Sequence, residues 1–325
     1  MCKVIGIDIS KQTFDVCIRR EKKINHLIFD NNLKGFKHFL REVDSSIDYV
    51  VMEASGPYYV NLASFLNASK IKVCVVNPLI VKRFSQMKFY RAKTDKKDAQ
   101  TIMEYGETES SSLRTWQPES KEVHRLKQIR STIELLHKQI NQSSNQIEAF
   151  KSSGTLDPDV KKSLESITRL LKKRVENLEL AMLKICEEHY SESLSLLTSI
   201  PSIGIKTAIH LIAITDNFRK FEHYKQLIAF VGFSPRIYQS GTSIKGKGHI
   251  CKMGSSQMRK LLYLCTWTAK KCNKTCREMH ARLKEKGKPE RVIKVALANK
   301  LLKQAFAVVT KKQMYDENYS VNICF

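Results

Sequence analysis

Residues 4–9, Val-Ile-Gly-Ile-Asp-Ile, form a short apolar run rich in β-branched residues and broken by one acid, a pattern that predicts a buried strand. Beyond a turn at Ser10-Lys11-Gln12, residues 13–18 and 24–29 predict two more strands, the last closing at Asp30-Asn31-Asn32. The period then lengthens. Phe36, Phe39, Leu40 and Val43 have helical spacing, and residues 49–52 return to a strand that ends at Glu53. Residues 57–66 predict a helix, 73–76 a fifth strand, and 78–84 the start of another helix. A last helix of this region runs from Asp95 through Ala99, Ile102 and Met103.

From Glu119 the pattern becomes helical and polar. Leu126, Ile129, Ile133, Leu136, Ile140 and Ile147 alternate steps of three and four, with one position lost at Ser143, which predicts a coiled-coil seam. Ser152-Ser153-Gly154-Thr155 and Asp157-Pro158 interrupt it, and a second seam runs through Val160, Leu164, Ile167, Leu171, Val175, Leu178, Met182 and Ile185. Such helices can pack on each other or on a second copy of the chain, and the expectation is a hairpin that also meets a partner. A third region opens with Ile200-Pro201-Ser202-Ile203-Gly204, a turn like that of helix-hairpin-helix modules, whose backbone N–H groups meet a phosphate. After Phe233-Ser234-Pro235-Arg236 comes a loop over 239–248 rich in Ser, Gly, Thr and Lys, and then helices over 258–269 and 292–309 with a turn at 285–288 between them. The expected division is an α/β domain over 1–115, a coiled-coil helical hairpin over 116–192, and a mainly α-helical domain over 193–325.

Charge changes this picture. The 325 residues carry a net charge of +24, and residues 236–312 alone hold 20 Lys and Arg against 3 acids. A basic surface concentrated in this way fits a polyanion, with phosphates supplying affinity through counterion release. With 42% hydrophobic residues the chain is expected to fold with proper cores. No apolar run reaches the ~18 residues of a membrane span, so the expected location is the cytoplasm, at the nucleoid. Nine cysteines at irregular spacing predict no disulfide framework. Cys272, Cys276 and His280 lie on one helix face in this pattern, but three ligands without a fourth nearby favour structural thiols over zinc.

The candidate chemistry lies in acids placed at particular elements. Asp95 and Asp98 are three apart at a helix start and share one face, where their repulsion calls for a basic neighbour or a hard divalent cation. Acids near a helix N-terminus also complement the helix dipole, which is the ordinary alternative for this stretch standing alone. Asp8 on the first strand and Glu53 at the end of the fourth stand where partner ligands would be needed. Four carboxylates of this kind could hold two Mg²⁺ or Mn²⁺ ions around one phosphodiester. Ser240, followed by Gly241, is the hydroxyl singled out in the loop, although a turn serine is the ordinary reading. Arg91, Lys93, Gly204, Lys206, Thr207, Arg236, Gly241, Lys245, Lys247, Lys252 and Arg259 are the candidate nucleic-acid contacts.

The element order of the first region is that of the ribonuclease H-like, or RuvC-like, nuclease fold. With Gly6-Ile7-Asp8, Met52 to Gly56, Val76-Asn77-Pro78, Lys93-Thr94-Asp95 to Asp98-Ala99, Ile200-Pro201 to Gly204, and Phe230 to Pro235 with Ser240-Gly241, the chain resembles the DEDD transposases of bacterial insertion sequences. That family is related to the pilin-gene-inverting recombinase and is associated with bridge-RNA-guided recombination. The resemblance runs over essentially the whole chain. It implies catalytic, metal-binding roles for Asp8, Glu53, Asp95 and Asp98 and a nucleophilic role for Ser240, while Ser55 and Pro57 look like local variants of the family pattern. It further implies strand exchange through a 5′-phosphoserine link, a structured non-coding RNA pairing with donor and target DNA, and a dimer that becomes a tetramer on DNA.

Two other readings compete. A metal-dependent junction resolvase or nuclease would use the same four acids with water as nucleophile. A non-enzymatic nucleic-acid-binding protein would need only the basic region, but four converging carboxylates would weaken its hold on DNA unless metals neutralised them.

Overall fold

The computed structural model describes residues 2–318 apart from 22, 45, 55, 91–93, 237, 241–243 and 246–248, with the backbone alone at 239, 240, 244 and 245. The chain divides into two compact units, Met1–Pro118 and Glu119–Phe325.

In the first unit β1 (Val4–Ile9), β2 (Thr13–Arg20) and β3 (Lys23–Asp30) form an antiparallel meander. They are followed by α1 (Leu33–Leu40), β4 (Tyr49–Glu53), α2 (Tyr59–Ala68), β5 (Val73–Val76), α3 (Pro78–Met87) and α4 (Asp95–Thr108). The sheet order is β3-β2-β1-β4-β5, with β4 parallel to both β1 and β5. This is the arrangement expected of a ribonuclease H-like domain.

Strand alternation divides the residues between two faces. Ile5, Ile7, Ile9, Phe14, Val16, Ile18, Val50 and Met52 point to one side, where they bury Phe36 and Phe39 of α1 with Leu62 and Leu66 of α2. Val4, Val51, Cys74 and Val76 point to the other, against Val81 of α3 and Ile102 of α4. Gly6 belongs to this second face. A Cβ there would stand 2.3 Å from the Ala99 carbonyl oxygen and 2.3 Å from the Met103 nitrogen, so only glycine lets α4 lie this close to β1. Arg19 of β2 fixes the far end of α4 with two bonds to Glu107, at 3.0 and 3.1 Å.

Boundaries differ from the sequence pattern where local chemistry intervenes. The first helix ends at Leu40, with Arg41 as its C-cap, so Val43 lies beyond it yet still packs on the same core. Pro57 precedes α2 in a turn that includes Gly56 at φ 65°. The third helix continues past Phe84 to a Schellman end, in which Phe89 N–H donates to Gln86 O and Tyr90 N–H to Ser85 O, both at 3.1 Å. Phe89 takes φ 56° at the position glycine usually fills, a conformation costing an L-residue about 1–2 kcal/mol.

The second unit begins with α5 (Lys121–Ser152) and α6 (Pro158–His189), two 32-residue helices that pack on each other. Their core is continuous with α7 (Ser191–Thr198), α8 (Ile205–Thr215), α9 (Tyr224–Val231), α10 (Ser256–Cys272), α11 (Lys274–Glu285) and α12 (Glu290–Lys311). The two seams are not buried along their whole length. Leu126, Ile133, Ile140, Val175, Met182 and Ile185 are buried, whereas Val160 and Ile167 near the start of α6 are 40% and 49% exposed.

Ahead of α9, Asp216, Asn217 and Phe218 form a run of left-handed residues, held by the Phe218 N–H bond to the Thr215 hydroxyl. Two further expectations are corrected. The loop over 239–248 contains short strands: β7 (Gln239–Ser240) pairs with β8 (Ile244–Lys245), between β6 (Pro235–Arg236) and its partner β9 (His249–Ile250). Cys272 and Cys276 do not share a helix, because α10 stops at Cys272 and Asn273 caps α11. The Cys272 thiol donates to Thr268 O, Cys276 is buried, and His280 pairs with Glu290.

Candidate active site

Asp8, on the α4 side of β1, is flanked on both strands by acids. In the antiparallel register it stands directly opposite Asp15 of β2. In the parallel register Ile7 pairs with Met52, and one step further along brings Asp8 beside Glu53, the last residue of β4. The helix that covers this face starts with Asp95 and Asp98, its N-cap Thr94 accepting a bond from Lys97 N–H at 3.2 Å. Asp95 is exposed; Asp8, Glu53 and Asp98 are half-buried.

The electrostatics tie these acids together. The Asp8 carboxyl is pushed up to about 6, first by burial and then by the negative charges of Asp98, Glu53, Asp95 and Asp15. Its field therefore contains every acid that the sequence pattern selected. Asp15 is one that it did not. Only 9% exposed, Asp15 accepts or shares a 2.6 Å bond with His26 Nε2 of β3. An acid at the third position of an otherwise apolar strand, Thr-Phe-Asp-Val-Cys-Ile, was the available signal.

Chemically, the donor set is all carboxylate oxygen, which fits a hard divalent cation, and the raised Asp8 records an excess of negative charge that a cation would relieve. Among the described residues no three His, Cys, Asp or Glu side chains are close enough to cage a metal by themselves.

The other selected residues are scattered in their surroundings. Arg91, Lys93, Gly241 and Lys247 lie outside the described residues, as do the side chains of Ser240 and Lys245; the backbone of Ser240 lies in β7, opposite Ile244. Gly204 is the exposed N-cap of α8, with nothing within 4 Å of the position a Cβ would take. Lys206 is exposed and paired with Glu179. Thr207 is buried, its hydroxyl 3.4 Å from Cys265 Sγ, which turns it away from any ligand. Arg236 and Lys252 are exposed, whereas Arg259 is committed to Val231 O at 2.8 Å. No helix among the described residues is long and apolar enough to cross a membrane.

Known proteins match both regions. A family model described as "Transposase", for the DEDD transposases of the IS110 type, matches residues 5–150, and one described as "Transposase IS116/IS110/IS902 family" matches residues 194–281. The pilin gene-inverting proteins of Moraxella lacunata and Moraxella bovis are each 29% identical over 321 residues, covering 96% of this chain and 97% of theirs. The transposase for insertion sequence element IS1111A of Coxiella burnetii is 24% identical over 343 residues, covering 96% of this chain and 91% of its own. Among solved structures, T. thermophilus RuvC in complex with a Holliday junction substrate aligns with 36% of this chain and all of its own, at 9% identity and a TM-score of 0.29. Matched at both ends by models of one transposase group and along almost its whole length by relatives, the chain belongs to the DEDD transposase family of IS110-type insertion sequences.

Proposed function

We propose that this chain is the recombinase of an insertion sequence, cutting and rejoining DNA with the acids Asp8, Glu53, Asp95 and Asp98 and the nucleophile Ser240. The observation that carries the reading is the Asp8 carboxyl, raised to about 6 by burial and by the other three acids among its neighbours. Carboxylates held against their own repulsion in a folded protein are expensive, and a bound Mg²⁺ or Mn²⁺ offsets the cost. When bound, such ions polarise a phosphodiester and lower the pKa of a hydroxyl. Asp8, Glu53, Asp95 and Asp98 would hold them.

The serine step conserves bond energy. The Ser240 oxygen bonds to phosphorus as the bond from phosphorus to the 3′-oxygen breaks; the serine proton passes to a base and the 3′-oxygen takes up a proton. The product is a 5′-phosphoserine link and a free 3′-hydroxyl. Attack by a partner strand's 3′-hydroxyl reverses these events and releases the serine, so no ATP is consumed. Ser240 belongs to the second unit, and the reading asks it to meet the acids of its own or a neighbouring chain. The surplus of 20 Lys and Arg over 3 acids in residues 236–312 supports a polyanionic partner there. We assign that surface to DNA and to a structured bridge RNA, whose pairing with donor and target would supply sequence specificity, in a dimer that forms a tetramer on DNA.

A covalent-trapping assay tests this. Full-length protein is mixed with end-labelled donor and target DNA, RNA transcribed from the sequence flanking the gene, and Mg²⁺, then resolved under denaturing conditions beside Ser240→Ala and Asp8→Ala. A protein–DNA adduct lost in both variants is the expected result. Cleavage without an adduct, abolished by Asp8→Ala alone, would instead make water the nucleophile.

A further inference from the structure

Asp15 and Asp8 face each other across β1 and β2 in the antiparallel register, so both carboxylates lie on the same side of the sheet. Two residues away along this pairing Gly6 stands opposite Cys17, whose side chain packs with Ala99 and Met103 of α4 and whose thiol donates to Lys96 O at 3.5 Å. The side shared by the two acids is therefore the side that α4 covers. A Cβ on Gly6 would meet Ala99, while Val4 lies against Gly106, so β1 advances toward the start of α4 as it advances toward Asp8. The pair of acids lies at that end of the helix.

Like charges directly opposite one another on a sheet repel, and Asp15 is among the acids whose charge raises the Asp8 carboxyl. The chain nevertheless fixes Asp15 in place. His26 of β3 is paired with Cys17, diagonal to Asp15 on the same side, and its Nε2 lies 2.6 Å from Asp15 Oδ1. An ionised Asp15 accepts this bond from the imidazole N–H. Asp15 is 9% exposed and the His26 side chain 19%, so the bond is well shielded from water. Glu53, Asp8, Asp15 and His26 form one polar row across β4, β1, β2 and β3. A carboxylate held by a histidine one strand away from a candidate metal ligand is the arrangement by which outer residues orient a metal site.

We propose that Asp15, aimed by His26, is a positioning residue for the acid site, supporting from the neighbouring strand the divalent cation that Asp8 would hold. The inference rests on the recombinase reading above and extends its machinery by two residues outside the four family acids. Asp15 supplies negative charge beside Asp8 and an acceptor oxygen for the waters that a hard cation retains. His26 keeps that carboxylate from turning away.

The test reads cation binding without DNA: calorimetric titration of the full chain with MnCl₂, beside thermal melting of each metal-free variant. Asp8→Asn, which removes a direct ligand, serves as the control and should abolish the binding. Asp15→Asn and His26→Leu should each weaken Mn²⁺ binding by about 10- to 100-fold. His26→Gln, whose amide can donate the same bond, should stay near the parent. His26→Leu is the sharper variant. Removing a group that is a cation when protonated could by charge alone only tighten metal binding, so a weaker affinity reports the lost aim of the carboxylate. A pair with only a structural role would lower the melting temperature of the metal-free variants and leave the Mn²⁺ affinity unchanged, which would overturn the inference while the recombinase reading stands. Weakening by Asp15→Asn with His26→Leu equal to the parent would overturn the role given to His26. A parent that binds no Mn²⁺, or binds it as well after Asp8→Asn, would overturn the acid site of the recombinase reading and this inference with it.

Discussion

Gly6 on β1 lies so close beneath Ala99 on α4 that a single added carbon would stand 2.3 Å from the Ala99 carbonyl oxygen. The helix that brings Asp95 and Asp98 over the sheet is seated by this absence of a side chain, and Gly106, whose Cβ would stand 2.7 Å from Val4 Cγ1, does the same further along. Gly6→Ala must therefore lift α4 or distort β1, since the obstructing atoms are backbone. We expect a loss of about 2–3 kcal/mol in stability. The acid site should suffer beyond that: in thermal denaturation, Mg²⁺ or Mn²⁺ should raise the melting temperature of the parent but not of Gly6→Ala.

The raised Asp8 carboxyl makes the site a source of instability when no cation is bound. Its folded value of about 6 lies above the ordinary carboxyl value of 3.8, so between those pH values the folded state binds more protons than the unfolded. Stability from this group accordingly falls as pH rises through that window, and the full cost is present above pH 6. Asp8→Asn should be more stable than the parent at pH 7 by about 1–2 kcal/mol, allowing for solvent screening of a half-buried group. The gap should shrink by about half at pH 5 and vanish below pH 4. Urea denaturation at these pH values measures it, and the same variant should be inactive in strand cleavage; a parent equal in stability to Asp8→Asn at pH 7 would remove the electrostatic basis of the site.

The four acids were legible because strands alternate. Asp8 and Glu53 interrupt apolar runs where a side chain must face a covered surface, and Asp95 and Asp98 repeat at helical spacing. Asp15 obeys the same rule, but the pattern alone does not select it, since its position matters only once the β1–β2 register sets it opposite Asp8. The helical seams of the second unit were legible as helices, yet the pattern could not tell which turns would be covered. Val175 and Met182 meet the neighbouring helices, whereas Val160 and Ile167, at equivalent repeats, stay largely in solvent. The break at Asn273 was likewise decided locally, by a side chain accepting from Cys276 N–H at 3.1 Å, a bond that hydrophobic spacing does not encode.

Glu119 opens the second unit as the shared partner of two lysines, Lys127 of α5 and Lys220 beyond α8. The two ammonium groups are brought together by this one carboxylate, and the pair of contacts holds the Glu119 carboxyl below its usual range despite burial. Glu119→Gln would leave two facing cations with only the charge of Asp216 to oppose them. The expected cost is about 2–4 kcal/mol, larger than for Lys220→Met, which leaves Glu119 still paired with Lys127. Chemical denaturation of the two variants distinguishes these outcomes; equal effects would mean that the lysines are individually, and not jointly, engaged.

His210 gives the second unit a pH response opposite in sign to that of Asp8. Buried on α8 at 3% exposure, with Nδ1 lacking a hydrogen-bond partner, its imidazole is held down to about 4 by burial and by the charges of Arg130 and Lys206, against a smaller opposing pull from Glu179. The unfolded chain takes up a proton near the ordinary imidazole value of 6.5 while the folded group stays neutral until about 4, so stability falls as pH is lowered through that interval. The full loss is about 3 kcal/mol. His210→Leu removes the titrating group while keeping an apolar side chain of similar bulk, and should abolish this part of the acid sensitivity at little cost at pH 7. Urea denaturation at pH 7 and pH 4.5, with Asp8→Asn as the background to remove the opposing response of the first unit, isolates it. A variant that loses as much stability as its parent between these two pH values would show that the imidazole takes up its proton as readily in the folded protein as in the unfolded chain, and that the acid sensitivity arises at other groups.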